Sequence, residues 1–416
     1  MTTAVAPHLA EGGNLQVQWS GRFEEEPIYF QLRGDSLVNP RSEILTLPEW
    51  TNRAVGNLNA TIASHPLKLV TKLRPTIETE STGTDLSLPV DDLYLDASLF
   101  QRAFLTLGVK NYSEGFGLAF NPTDFLAEDT EQDFSKREED RKADREGNIV
   151  AGLDIFFRNV TLSATVAPHL PGIQNDETRA VLKASMLFEA AHLDTSVLYF
   201  YADRPGLGLN LSKSLGEQLG LHAEVAGRWG STRQQVRKTL EAIGNMHLAR
   251  FEIHDPPDRH NIFTELVVGG NYTFGDGTNI VGEYYFVQDG YAKREWERVL
   301  ELIEFSGSRF LAGVFEDLMR SNLLKATELL SFRRLRRHYV FLRFHNATVL
   351  QKFDVSISAL LNAEDRSVAI VPIIDFVGLK NVSVGISGTL LEGERDSEFG
   401  LSPFRTRLSF LFRYFF

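Results

Sequence analysis

The chain has 416 residues, no cysteine, and 43 Lys and Arg against 55 Asp and Glu, a net charge of -12. Without cysteine there is neither a disulfide framework nor a thiolate metal site. The acidic balance, with no basic reading motif, argues against nucleic acid as a partner. No apolar run is long enough for a membrane helix, a test that the alternating strands of a β-barrel escape.

Taken in order, the alternation of Leu15, Val17 and Trp19 predicts a first strand over 13–24, followed by a polar stretch to Arg53. Paired runs come next: 55–64 and 67–80 around His65-Pro66, then 88–99 and 102–110 around Phe100-Gln101. The pattern continues with 149–158 and 160–167, 178–190 and 193–202, and 206–213 and 218–229. Residues 262–274 and 278–287 flank Gly275-Asp276-Gly277, a tight-hairpin signal. The last strands are expected at 339–346, 350–361, 367–376, 382–391 and 407–416, giving about eighteen (16–18) strands in all. Three connections are long: 111–148, 230–261 and 290–338. Within them, Trp296, Val299, Leu300 and Ile303 predict a helix over 293–304. A second helix is expected over 309–332, with Gly307 and Gly313 as bounds, and a short one over 230–243. The mixed-charge run 126–147 has no period and reads as a solvated loop rather than a site.

The terminal strand carries Leu408, Phe410, Phe412, Tyr414 and Phe416 in one row, and Arg407, Ser409, Leu411, Arg413 and Phe415 in the other. With a side-chain period of two, one face is greasy and the other partly basic. The chain ends on that greasy row, and the ending resembles the closing strand of bacterial outer-membrane β-barrels. The resemblance implies that Phe410, Phe412, Tyr414 and Phe416 form an assembly signal read by the barrel-assembly machinery. If the C-terminus is periplasmic, every short turn falls on that side and every long connection outside, the loop asymmetry of such barrels. The expectation is therefore an all-β fold: a single transmembrane antiparallel barrel in outer-membrane lipid, using residues 1–416. Met1-Thr-Thr-Ala-Val-Ala-Pro-His8 lacks an export signal, and a starting Met is expected to have replaced the native one.

Phe104-Leu-Thr-Leu-Gly-Val-Lys110 leads into Gly115-Phe-Gly-Leu-Ala-Phe-Asn-Pro-Thr-Asp-Phe125. Together with Gly270-Asn-Tyr-Thr-Phe-Gly-Asp-Gly-Thr278, Gly282-Glu-Tyr-Tyr-Phe286, Gly290-Tyr291 and Ser397-Glu-Phe-Gly400, this resembles the alginate-export porin and its uncharacterised relatives. Ser113-Glu114-Gly115 departs from the Trp-Gly often found in that loop, which leaves the solute open. The resemblance implies an eighteen-stranded porin in which Asn121, Pro122 and Asp124 form a constriction loop. The same residues equally suit a turn held by its own side chains.

With the apolar rows on lipid, the opposite rows line the pore. They hold the bases Lys68, Lys72, Arg74, Arg102, Lys110, Arg158, Lys183, Arg228, Arg343, Arg405, Arg407 and Arg413. The acids there are Asp154, Glu189, Glu224, Glu265, Glu283 and Asp354. Bases gather on the early strands and the last one, neighbours once a barrel closes. They serve either as an anion path or as struts paired with acids. The expected function is a channel for a polar, anion-leaning solute. The alternative is a scaffold that anchors a periplasmic or surface partner through the loop helices; exposed helix faces would favour it, and faces packed on the rim would favour the pore. The ten His lack ligand spacing, and no nucleophile elbow, P-loop or dinucleotide fingerprint occurs, so no metal, cofactor or enzymatic activity is expected.

Overall fold

The computed structural model describes residues 15–81, 83–126, 138–172, 174, 177–231, 233–243, 246–254, 261–331 and 335–416. Twenty strands form one sheet, and eighteen of them close into a barrel. In chain order these are β1 Gln16–Leu32, β2 Trp50–Ser64, β3 Leu67–Leu73, β4 Val90–Phe100, β5 Ala103–Lys110 and β6 Asn148–Phe156. There follow β7 Val160–Ala167, β8 Arg179–Phe188, β9 Leu193–Tyr201, β10 Gly206–Leu215, β11 Leu219–Trp229 and β12 Ile262–Thr273. The last six are β13 Asn279–Val287, β14 His338–Val349, β15 Phe353–Asn362, β16 Val368–Leu379, β17 Val382–Glu392 and β18 Phe404–Phe415. Each pairs antiparallel with the next, and β18 returns to β1 with Arg22 opposite Phe415. Gly21 and Phe416 exchange backbone hydrogen bonds of 2.9 and 3.0 Å at the seam. A barrel has no unpaired edge, which is why the last residue must meet the first strand.

The side-chain rows follow the pleat. On β18, Leu408, Phe410, Phe412, Tyr414 and Phe416 are 39–46% exposed, whereas Ser409 and Leu411 are 1% and 8% exposed. Apolar residues outside and polar ones inside invert a soluble fold and suit a barrel in lipid. The eight turns at the end carrying Phe416 span two to five residues, and the nine loops at the other end span four to fifty.

Several boundaries differ from the sequence expectations. β1 runs on to Leu32, because Arg22, Glu24, Glu26 and Ile28 continue its inward row past Glu24. The expected strand 67–80 is broken at Pro75, which lacks a donor. Its second half, Thr76–Glu80, still pairs with β2 and turns back as Gly83–Ser87. β14 continues to Val349, so the turn falls at 350–352. Where a helix was expected over 230–243, Gln235–Ile243 and Met246–His254 form a hairpin. The sequence Gly244-Asn245 between them is a two-residue turn signal that the helical reading overlooked.

Two helices do form in the longest loop, α1 Lys293–Leu311 and α2 Glu316–Ser331. Gly307 lies inside α1, buried beside the Leu37 carbonyl, and the break comes at Gly313 with φ +70°. Trp296, Val299, Leu302 and Ile303 of α1 meet Met319, Leu323, Ala326 and Leu329 of α2. They share that cluster with Val38 and Ile44 of the first loop, Val236 and Phe251 of the hairpin, and Leu401 before β18. The helices are therefore packed on neighbouring loops over the barrel mouth.

Candidate functional site

The loop after β5 turns into the barrel, and its backbone is held by two wall carboxylates. Glu224 on β11 accepts from the N–H groups of Phe116 and Gly117 at 2.5 and 2.6 Å and from the Thr123 hydroxyl at 3.0 Å. Glu283 on β13 accepts from the N–H groups of Leu118 and Ala119 at 2.5 and 2.9 Å, with His222 Nε2 3.0 Å from the oxygen that serves Leu118. Hydrogen bonds to a charged acceptor are among the strong ones, and here four consecutive N–H groups donate them. Gly115, at φ +89°, lies on the Glu224 carboxylate; a Cβ there would come within 2.5 Å of Oε2.

The loop reaches from β5 to β13, eight strands away around the ring, and aromatic stacking fixes it to that side at two points. Phe120 stacks on Tyr285 of β13 at 4.2 Å, and Phe125 stacks on Phe200 of β9 at 5.0 Å. Asn121, Pro122 and Asp124 lie between these anchors. The Asn121 amide donates to the Gly117 carbonyl at 2.8 Å and to Glu224 at 3.3 Å. Asp124 pairs with Arg145 at 2.9 Å; burial pushes its carboxyl above the usual range, and Arg145 opposes that shift. The segment is thus a self-bonded turn and a crossbar at once.

The run expected to be solvated contributes to the interior. Residues 127–137 lie outside the described residues, but α-helical Glu138–Ala143 returns along the wall made by β18, β1, β2, β3 and β4. Its period was hidden because the helix has only six residues, with Ala143 its only apolar one. Asp144 lies 3.4 Å from Arg22 and 3.7 Å from Lys72, and Asp140 lies 3.7 Å from Arg413. Lys142 donates to the Gly117 carbonyl at 2.7 Å, tying this limb to the crossbar.

The bases of this wall are paired. Arg413 meets Glu24 at 3.0 Å and Asp375 at 3.5 Å, and Arg407 meets Glu26 at 3.5 Å, where Arg53 also bonds. Lys72 and Arg74 share Asp91 at 3.3 and 3.0 Å. Six bases thus pair with four wall acids, Asp92 stands opposite Lys72 as a fifth, and Asp140 and Asp144 add two more negative charges. The acids of β1 were legible as the Arg22-x-Glu24-x-Glu26 row; the limb acids had no such signal.

The other expected pore residues divide between lumen and rim. Lys110 sits over the rings of Tyr94 and Tyr112 at 4.8 and 4.9 Å, and Lys183 bonds Glu114. Arg228 stacks on Phe125 at 5.0 Å, Glu265 accepts from Tyr285, and Asp354 meets His345 at 2.9 Å. Asp154 faces inward on β6 and Arg343 is buried on β14. Arg405 bonds Glu392 at 2.7 Å at the loop end rather than in the lumen, because a bulge beside Leu32 shifts the pairing of Phe404. Lys68 is exposed on β3, and Arg102 and Arg158 lie in turns; they make no ion pair among the described residues.

No protein-family model matches the chain, and no curated protein matches it. Solved structures do. Pseudomonas aeruginosa OccK11 (OpdR) aligns with a TM-score of 0.53 at 9% identity, over 96% of this chain and 95% of that one. Acinetobacter baumannii OccAB1 gives 0.52 at 10% identity over 96% of both chains. Pseudomonas aeruginosa OpdQ gives 0.52 at 11% over 97% of both. At such identity the likeness concerns the fold: a closed antiparallel barrel of the kind found in the OprD/Occ outer-membrane porins.

Proposed function

We propose that the chain is an outer-membrane channel through which a polar, preferentially anionic solute diffuses, narrowed by the loop that crosses its lumen. The observation that carries the reading is that crossbar: a loop aimed inward, pinned by Glu224 and Glu283 and packed through Phe120 and Phe125 on two apolar clusters of the inner wall, narrows the lumen. The apolar outer face supports a location in bacterial outer-membrane lipid, and the split between short turns and long loops supports a periplasmic turn end. Anion preference rests on Lys68, Arg102, Arg158 and Arg228, inward or turn-end bases that lack an ionic partner among the described residues. Phe410, Phe412, Tyr414 and Phe416 then act as the signal to the assembly machinery.

One observation favours a second reading, a scaffold for a partner. Leu311, Val314, Phe315 and Leu318, around the turn between α1 and α2, are 41–62% exposed. The packing of both helices on their neighbours supports the pore instead. Single-channel recording in a planar bilayer under a salt gradient separates the two. A steady conductance with an anion-side reversal potential is expected. A cation-side potential would overturn the anionic assignment, and an inserted barrel that never conducts would overturn the channel.

A further inference from the structure

The limb Glu138–Ala143 is held on the basic wall in an unusual way. It brings no large apolar side chain with it, so its seat is polar throughout. Its ion pairs, at 3.4–3.7 Å, lie at the long end of the range of the wall's own pairs, which include 3.0 Å at Arg413–Glu24 and 3.6 Å at Arg22–Glu24. A six-residue helix has little stability of its own, and Asp140, with 31% of its side chain exposed, leaves its pair with Arg413 open to screening by salt. Yet Asp140 of the helix and Asp144 just past its end bring two negative charges onto the wall bases. With the limb seated, Arg22, Lys72 and Arg413 each hold a limb acid as well as a wall acid; with it displaced, they keep only Glu24, Asp91 and Asp375, and that stretch of lumen is more positive by two charges.

We propose that this limb is an internal gate: Asp140 and Asp144 occupy the wall bases at rest, and an anion entering the lumen displaces them. The proposal rests on the channel reading above and deepens it, because Asp140 and Asp144 then set both the conductance and the charge selectivity. The limb is hinged rather than loose. Arg145 bonds Asp124, the Asn111 side chain at 3.1 Å and the Tyr112 carbonyl, fixing one end while the carboxylates move. Lys142, on the opposite side, couples the same motion to the crossbar at Gly117.

Planar-bilayer recording of the full chain and of the double variant Asp140→Asn/Asp144→Asn tests this, with folding checked by heat-modifiable gel mobility. The variant should conduct several-fold more than the parent, and its reversal potential should shift further to the anion side. An unchanged conductance and potential in a conducting barrel would overturn the gate and leave the channel standing. If neither protein conducts, the channel reading falls, and the gate with it. A second measurement reads the motion. Since the chain has no cysteine, Asn59→Cys beside Lys72 and Ala143→Cys can be bridged with a short bis-maleimide. Bridging should hold the conductance low and abolish its rise with added succinate or phosphate. If bridged and unbridged barrels behave alike, the limb is a static strut and the proposal is wrong.

Discussion

Glu224 shows how much one buried side chain organises. It is fully buried and serves two backbone N–H groups, a hydroxyl and an amide of a single loop. Removing the charge while keeping the shape weakens several charge-assisted bonds together, each worth about 1.5–3 kcal/mol. The double variant Glu224→Gln/Glu283→Gln should therefore keep the barrel but free the crossbar. Limited proteolysis would reveal cleavage within 111–126 that the parent resists. Glu398 offers a pH test at the same scale. Burial pushes its carboxyl from 4.5 up to about 7, against hydrogen bonds from Tyr339 and Asn362. The closed loop thus binds the proton more tightly than the open one. Closure is fully supported below about pH 4.5, weakens as pH rises through that value and has lost this support above about 7. Protease sensitivity of loop 393–403 should rise across that window, and Glu398→Gln should flatten the profile.

At the scale of elements, the helical pair behaves as a small domain grafted onto the barrel mouth. Trp296 donates from its indole to the Asp396 carbonyl at 3.1 Å and lies under the Arg336 guanidinium at 5.1 Å, at the centre of the loop cluster. Trp296→Ala should cost about 3–5 kcal/mol, and the loss should be local. Cleavage within 293–331 is expected at temperatures where the barrel keeps its compact gel mobility; simultaneous loss of both would show that helices and barrel fold as one unit. The hairpin Gln235–Ile243/Met246–His254 belongs to the same cluster through Val236 and Phe251. An element that packs on one side only reads as helix or strand with equal ease when its loop is long, and here the turn chemistry of Gly244-Asn245 was the better guide.

For the whole molecule, closure depends on the meeting of the two ends. Phe416 exchanges two backbone bonds with Gly21, and its ring lies 6.3 Å from that of Trp19. Deleting Phe416 removes both bonds and leaves the β1–β18 seam open at the turn end, where lipid offers no substitute partner. Refolding into liposomes, followed by heat-modifiable mobility, should be slower and less complete than for the parent. Equal rates would show that closure is set elsewhere on the seam.

The period-two rows, together with the sorting of short turns and long connections, made a barrel of about eighteen (16–18) strands legible, and β18 declares which of its two sides is greasy. The helix core around Trp296, Val299 and Ile303 was legible for the same reason, with a period of 3.6. The interior was not. Asn121, Pro122 and Asp124 were visible as a turn, but only the tertiary structure brought Glu224 and Glu283, more than a hundred residues away, beneath that backbone. The bases of the β1–β18 wall were visible too, but their partners come from β1, β4, β16 and an aperiodic loop, and pairing across a closed lumen has no local period. Charge sign is local to the sequence. Whether a charge is free or compensated depends on what faces it, and in a barrel that is decided only when the ring closes and its loop folds inward.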